Sequence, residues 1–252
     1  MSGTVGAPRG AGRLRRLVDG VLAGSGVVSS VLYIAADIVG SRRYPGYRWS
    51  DQEFSELTAQ GAPTRPLMIG LVEVPYNLLV LALAAGLRST SGPKRRAARV
   101  SSAALAGYAA FGFLAGTVTP MTTREAMAAG RATTRNAFHG PLTLVSDLFL
   151  AGSMVSAGQL LGTPFRRYSY ATVAALVAFG AVAARQIPRM AANQPTPRMG
   201  LEERVNIYAS MLWVAVLAAG LLRAQRHDRS APPRAPALTA PEQPAARHAS
   251  EA

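Results

Sequence analysis

The sequence predicts an all-α polytopic integral membrane protein with six transmembrane helices in one bundle. Two observations predict this class. Hydrophobic residues make up 49% of the 252 residues and charged residues only 16%, against roughly 25% charged in a typical soluble domain. Six apolar segments also approach the ~20 residues that a helix needs to cross the hydrocarbon core.

The six segments follow one another along the chain and are separated by polar or proline-containing stretches. They are Leu17–Val39, Leu67–Leu87, Ala98–Val118, Ala137–Leu161, Tyr168–Ile187 and Val205–Leu222. They are too long for barrel strands and lack the alternation of barrel strands. Arginines before the first segment resemble the start of a signal peptide, but the run is long and no clean cleavage site follows, so we expect a retained first helix.

This division predicts three parts of the chain. Residues 1–16 form a basic N-terminal segment, residues 17–222 form the membrane domain, and residues 223–252 form a tail. The tail combines several prolines with Ala, Arg and Glu and has no apolar periodicity, which predicts disorder.

The basic residues predict the orientation in the membrane. The chain has 27 Lys and Arg against 13 Asp and Glu, and the basic residues lie between the apolar runs rather than in one cluster. Sixteen fall on the side of both termini and eleven on the other side. The positive-inside rule therefore predicts cytoplasmic termini in a bacterial plasma membrane, with arginines close to anionic lipid head groups. Nucleic acid is not an expected partner, and no protein partner is indicated.

Two loops contain capping-box spacings, in which a side chain at each end of a four-residue stretch bonds a free backbone N–H at a helix start. Ser50 and Glu53 have this spacing, which predicts a short helix from about Asp51 to Ala59. Thr122 and Glu125 repeat it in the third loop.

Ionisable residues within the apolar segments predict a polar cluster on the outer side of the membrane. Such residues normally face the bundle interior, because a charge at a helix centre costs several kcal/mol. Helical spacing places Ser30, Tyr33 and Asp37 on one face, with comparable polar faces around Glu73, His139 and Arg204. The candidate residues are Asp37, Glu73, Asn77, His139, Asp147, Arg185, Glu203 and Arg204.

Several chemistries are disfavoured by residue counts. Cysteine is absent and only three histidines are present, two of them in the tail, so neither a zinc site nor a bis-histidine haem is expected. Ser146, His139 and Asp147 lack the nucleophile-elbow sequence of a hydrolase triad. Walker A and dinucleotide motifs are absent, and no cofactor is expected.

Three functions remain open for the cluster. In the first, the protein is non-enzymatic and binds a lipid head group or partner, and the cluster is a packed ion-pair network. In the second, the cluster is the acid/base site of an enzyme on lipid-linked substrates. In the third, it is part of a small proton-coupled transporter. Discontinuous helices would favour transport. Only Pro75 and Pro141 suggest an interruption, and a kink or, for Pro141, a first-turn position explains them.

Three segments resemble one bacterial family. They are residues 44–66, which contain Tyr-Pro-Gly-Tyr and Gly-Ala-Pro-Thr-Arg-Pro, residues 165–169, and residues 195–208, which contain Gly-Leu-Glu-Glu-Arg. The resemblance is to domain of unknown function 998, a family of six-helix integral membrane proteins, and covers roughly Leu17 to Leu222. It implies a six-helix fold and carries no activity or catalytic residues.

Overall fold

The computed structural model describes the backbone of residues 9–230 and the side chains of residue 14 and residues 17–227. Six long helices confirm the predicted fold class, and each contains a stretch long and apolar enough to cross a membrane. Their bounds are Arg9–Arg43, Arg65–Arg88, Arg95–Val118, Asn136–Ala157, Thr163–Ala184 and Met199–Ser230. No strand occurs among the described residues.

Most of these helices extend beyond the predicted apolar segments. Arginines occupy several helix ends, since a long side chain can keep its charge in water while its stem lies along the helix. The sixth helix continues to Ser230, past the predicted start of the tail at residue 223. The fifth begins at Thr163, where Pro164 lies in the first turn. Residues 1–8 and 231–252 lie outside the described residues, and most of the predicted disordered tail lies there.

The helices pack in a closed ring that follows their order in the chain. The first helix packs against the second and sixth, the second against the third, the third against the fourth, and the fifth against the sixth. The fourth helix also contacts the fifth, and this is the least extensive contact between neighbours in the ring. Within the described part of the chain the fourth helix makes little contact with the sixth.

Two short π-helical segments interrupt the second and third helices. They span Ile69–Glu73 and Leu114–Val118 and lie next to each other in the bundle. The first ends just before Pro75, which has no N–H for the carbonyl one turn earlier. Pro141, by contrast, lies in the second turn of an uninterrupted helix rather than in its first turn.

The three long loops fold together into a layer on one side of the bundle, which we call the cap. It comprises residues 44–64, 119–135 and 185–198, with short helices at Phe54–Leu57, Arg124–Ala128 and Ile187–Ala191. The Gln60 N–H donates a 2.7 Å bond to the Met121 carbonyl. A small apolar core holds the layer together, formed by Ala59, Ala62, Met121, Met190 and Met199.

Both predicted capping boxes are wrong. In the first loop the box is formed by Glu53 and Glu56, three residues later than predicted, and the helix covers only Phe54–Leu57. The reason is that the Ser50 carbonyl accepts the Leu201 N–H at 2.9 Å and the Asp51 carbonyl accepts the Thr196 hydroxyl at 2.6 Å. These bonds tie the backbone before the short helix to the fifth loop and to the first turn of the sixth helix.

In the third loop the helix begins after Thr123, which makes no side-chain cap bond. The Thr122 hydroxyl instead accepts the Thr133 N–H at 3.2 Å. This bond links two residues of the third loop and does not cap the helix.

Candidate functional site

The predicted polar cluster divides into two groups in the structure. Asp37 and Arg204 form a packed network beneath the cap. A separate cavity is lined by Glu73, Asn77, His139, Asp147 and Glu203. Arg185 joins neither group, because it follows the last residue of the fifth helix and its side chain is exposed.

Asp37 and Arg204 form a bidentate ion pair between the first and sixth helices. The Arg204 Nε and Nη2 atoms each lie 2.8 Å from one oxygen of the Asp37 carboxylate. Asp37 is completely buried and Arg204 is 1% exposed. A charged pair is tolerated at such depth only with good geometry and further hydrogen bonds.

The remaining bonds of this network reach into the cap. Arg204 Nη1 donates to the carbonyls of Trp49 at 2.7 Å, Gln52 at 2.8 Å and Gly200 at 3.1 Å. Arg204 Nη2 also donates to the Tyr47 hydroxyl at 2.7 Å, and burial raises the pKa of Tyr47, which keeps that hydroxyl neutral. Because its donors are occupied, this group has a structural role: it fastens the first loop to two membrane helices.

A second buried ion pair lies entirely within the cap. The Arg124 guanidinium makes two bonds to the Glu56 carboxylate, one of them 2.8 Å from Nε, and a 3.3 Å bond to the Thr196 hydroxyl. It therefore joins all three loops. Next to it, burial and the Glu56 carboxylate raise the pKa of Glu53 to about 7. Sequence reasoning missed this pair, because nothing in the spacing of three separate loops brings Arg124 to Glu56.

The cavity lies inside the bundle directly below the cap and has a volume of about 170 Å³. Residues of the first, second, third, fourth and sixth helices line it, and the cap supplies its roof through Phe54, Ser55 and Thr58. Four aromatic rings form much of its wall: Tyr33, Phe54, Tyr76 and Tyr108.

Two carboxyl groups face the cavity without a partner. Glu73 is only 9% exposed and Asp147 is half-buried. Among the described residues neither carboxyl has a hydrogen bond or an ion pair. A third, that of Glu203, accepts a bond from the Phe54 N–H. Gly116 leaves room for the Glu73 side chain, because a Cβ at Gly116 would overlap the Glu73 carboxyl.

His139 of the fourth helix supplies a hydrogen bond that the π-helical segment of the third helix lacks. In that segment each carbonyl bonds the N–H five residues on, but the residue five after Ala115 is Pro120, which has no N–H. The His139 Nδ1 replaces that donor and lies 3.0 Å from the Ala115 carbonyl. Because a carbonyl only accepts, Nδ1 carries the proton, and Nε2 makes no bond within the described residues.

The cavity reaches the surface of the bundle beside Thr143. Thr143 of the fourth helix lines it and is exposed, and it lies about 10 Å along the helix from Asn136 at 1.5 Å per residue. The neighbouring Leu144 and Leu148 are 61% and 64% exposed. The exposed surface around this point is therefore apolar.

The lining limits the chemistry of the site. No group of three metal-ligating side chains occurs among the described residues. The Ser146 hydroxyl donates to the Tyr108 carbonyl at 2.9 Å rather than to His139, so the cavity has no aligned serine nucleophile. What it offers is two unpaired carboxyls, one imidazole nitrogen and aromatic walls.

Comparison with known proteins identifies a family. A family model described as "Protein of unknown function (DUF998)" matches residues 5–220. Neither the curated proteins nor the solved structures yield a match to the chain.

Proposed function

Since the chain belongs to the DUF998 family, whose description assigns no activity, we propose from the cavity itself that the protein binds the head group of a lipid or lipid-like amphiphile. The function proposed is non-enzymatic. The observation that carries it is a partly polar cavity below the cap that reaches the surface at exposed Thr143 of a membrane-spanning helix. Two of its carboxyl groups have no hydrogen bond or ion pair from the residues that the structure describes.

The position of the opening favours an amphiphile over a soluble ligand. An amphiphile entering beside Thr143 keeps its chains in the bilayer, against exposed Leu144 and Leu148. Its head group then lies inside the bundle, among Glu73, Asn77 and Asp147. A soluble molecule approaching from the cap would meet the buried layer of Phe54 and Thr58.

The volume fits one small head group. Cavities near 150 Å³ hold a benzene-sized molecule, and about 170 Å³ is available here. The chains of a lipid do not fit inside. We therefore expect the protein to hold the polar end of the molecule and leave the rest in the membrane.

A matched pair of variants tests this proposal. Thr143→Trp places a large ring in the opening, whereas Leu144→Trp adds the same ring to the neighbouring lipid-facing position. Native mass spectrometry of protein released from lipid nanodiscs measures the retained lipid. We expect the wild type and Leu144→Trp to retain one lipid and Thr143→Trp to lose it. Equal retention by all three proteins would contradict the proposal.

The same unpaired carboxyls support a second candidate, in which Glu73 or Asp147 transfers a proton during acid/base chemistry on a lipid-linked substrate or during transport. Such a role requires a carboxyl that can gain and lose a proton, and no described residue holds Glu73 or Asp147 in an ion pair. A bound lipid that is converted over time, or an Asp147-dependent proton flux in vesicles, would favour this candidate. Unchanged lipid and no flux would favour simple binding.

We further propose that the cap faces the outside of a bacterial plasma membrane and the termini face the cytoplasm, with terminal arginines near anionic lipid head groups. The excess of basic residues on the side of the termini supports this orientation. Because the chain has no cysteine, Gln60→Cys in the cap and Ser91→Cys in the opposite loop report orientation cleanly. An impermeant thiol reagent on intact cells should label Gln60→Cys alone. Labelling of Ser91→Cys alone would invert the orientation.

A further inference from the structure

We propose that the head group held in the cavity carries a positively charged nitrogen, which lies beside Glu73 in the acidic lining that Asp147 shares. This inference rests on the proposed function and specifies the class of amphiphile. Charge, burial and aromatic walls each support it.

The charge of the cavity is opposite to that of the chain. The protein has a formal net charge of +14, yet neither Lys nor Arg lines the cavity, while Glu73, Asp147 and Glu203 do. Arg65 begins the same helix as Glu73, but its guanidinium donates to the carbonyls of Thr58, Gly116 and Thr117. Within residues 17–227, whose side chains the structure describes, no ion pair therefore neutralises this acidic lining.

Burial makes an isolated carboxylate costly. A carboxylate that leaves water without a partner must gain a proton or a cation. Glu73 is 9% exposed, faces the cavity and has no bond from the described residues. A cationic nitrogen next to it would supply the missing partner, and Asp147 of the fourth helix adds a second carboxyl to the same lining.

The aromatic walls suit the same ligand. Cations are attracted to the faces of aromatic rings, and several rings around one site recognise quaternary ammonium groups. The Tyr33 ring stacks on Phe54 at a centroid distance of 4.5 Å and meets Tyr76 edge to face at 4.9 Å, so the three rings form one packed aromatic wall of the cavity. The hydroxyls of Tyr76 and Tyr108 bond each other at 2.8 Å, and their rings form part of the cavity wall.

An anionic head group meets few donors in this cavity. The Asn77 amide donates to the Glu73 carbonyl at 2.6 Å, and the protonated nitrogen of His139 is committed to Ala115. A phosphate would therefore face carboxyl groups with little compensation. We infer that the cavity discriminates by charge, and not only by size.

The test uses a hydrophobic carbodiimide on the full-length protein in phosphatidylglycerol nanodiscs. A protonated carboxyl adds to the carbodiimide: its proton goes to one nitrogen, its oxygen bonds the central carbon, and the acyl group then migrates to nitrogen with nothing leaving. We expect an adduct at Glu73, located by mass spectrometry and absent from Glu73→Gln. Asp37, held in its ion pair, should stay unmodified.

Three probes with the same chain then compete with the reagent: dodecyltrimethylammonium, dodecyl phosphate and dodecanol. At about ten times its Kd the ammonium probe leaves about a tenth of the sites free, so the modification should slow about tenfold. The other two should have little effect. If Glu73 proves unreactive, the same probes are compared by the rise in unfolding temperature of the wild type and of Glu73→Gln.

The outcomes separate the two proposals. Selective protection by dodecyltrimethylammonium supports the cationic head group. Equal or greater protection by dodecyl phosphate or dodecanol overturns it and leaves amphiphile binding in place. No protection by any probe, with no lipid retained by the wild type, overturns both.

Discussion

Replacing Arg204 by Met should destabilise the protein strongly while leaving its cavity lining intact. The substitution removes the bidentate pair with Asp37 and the bonds to the Trp49, Gln52 and Gly200 carbonyls. Asp37, which is completely buried, would remain as an uncompensated charge. Breaking a buried pair in this way costs roughly 3–5 kcal/mol.

In a chain of this size each kcal/mol shifts the unfolding temperature by roughly 2–4 °C, so the expected fall is roughly 6–20 °C. Thermal unfolding of detergent-solubilised protein, followed by the loss of monodisperse protein on size exclusion, measures it. Arg185→Met is the matched control, since Arg185 is exposed and outside the network. Its unfolding temperature should stay close to that of the wild type.

A double variant checks the cause. Asp37→Asn combined with Arg204→Met removes the charge on both sides, so its cost should be well below the sum of the two single costs. If Arg204→Met unfolds at the same temperature as Arg185→Met, the buried ion pair does not stabilise the fold. Strictly additive costs would show that the ion pair is not the source of the stability.

Three further predictions concern the cavity and the cap. Gly116→Val should displace the carboxyl that faces the cavity from the second helix and reduce lipid retention in native mass spectrometry, whereas Gly24→Val, with nothing within 4 Å of its added Cβ, should retain lipid. Glu56→Gln should cost roughly 3 kcal/mol by leaving buried Arg124 without its carboxylate and should expose the cap to limited proteolysis; unchanged cleavage would contradict the role of the pair. The raised pKa of Glu53, about 7 against an ordinary 4.5, means that its contribution to stability is full below pH 4.5 and is lost as the pH rises through 7. Unfolding temperature should therefore decrease from pH 5 to 8 more steeply in the wild type than in Glu53→Gln, and parallel curves would argue against this titration.

The sequence predicted the helices well because membrane crossing imposes length and hydrophobicity. It also predicted that Asp37 and Arg204 lie on interior faces at the same level. The positions where helices begin and end were less predictable, since an arginine such as Arg65 can continue a helix beyond the apolar core. The short helix at Phe54 was misplaced because tertiary bonds from Leu201 and Thr196 override the local capping signal.

The division of the polar residues depends on contacts that spacing does not encode. Arg204 does not pair with Glu73, because the cap brings the carbonyls of Trp49 and Gln52 to its guanidinium. His139 is turned toward the third helix by the missing N–H of Pro120, a signal that is present in the sequence but interpretable only once helices three and four are known to be neighbours.

Asp37 and Glu73 are expected to differ in role, Asp37 stabilising the fold and Glu73 binding the ligand in the cavity. Asp37→Asn and Glu73→Gln each replace one carboxyl by an amide with little change in shape, and unfolding temperature and retained lipid are measured on both variants. We expect Asp37→Asn to lose several degrees of thermal stability and Glu73→Gln to keep its stability but lose the bound lipid. If Glu73→Gln unfolds as early as Asp37→Asn and both retain lipid, the two residues belong to one structural network and this division of roles is wrong.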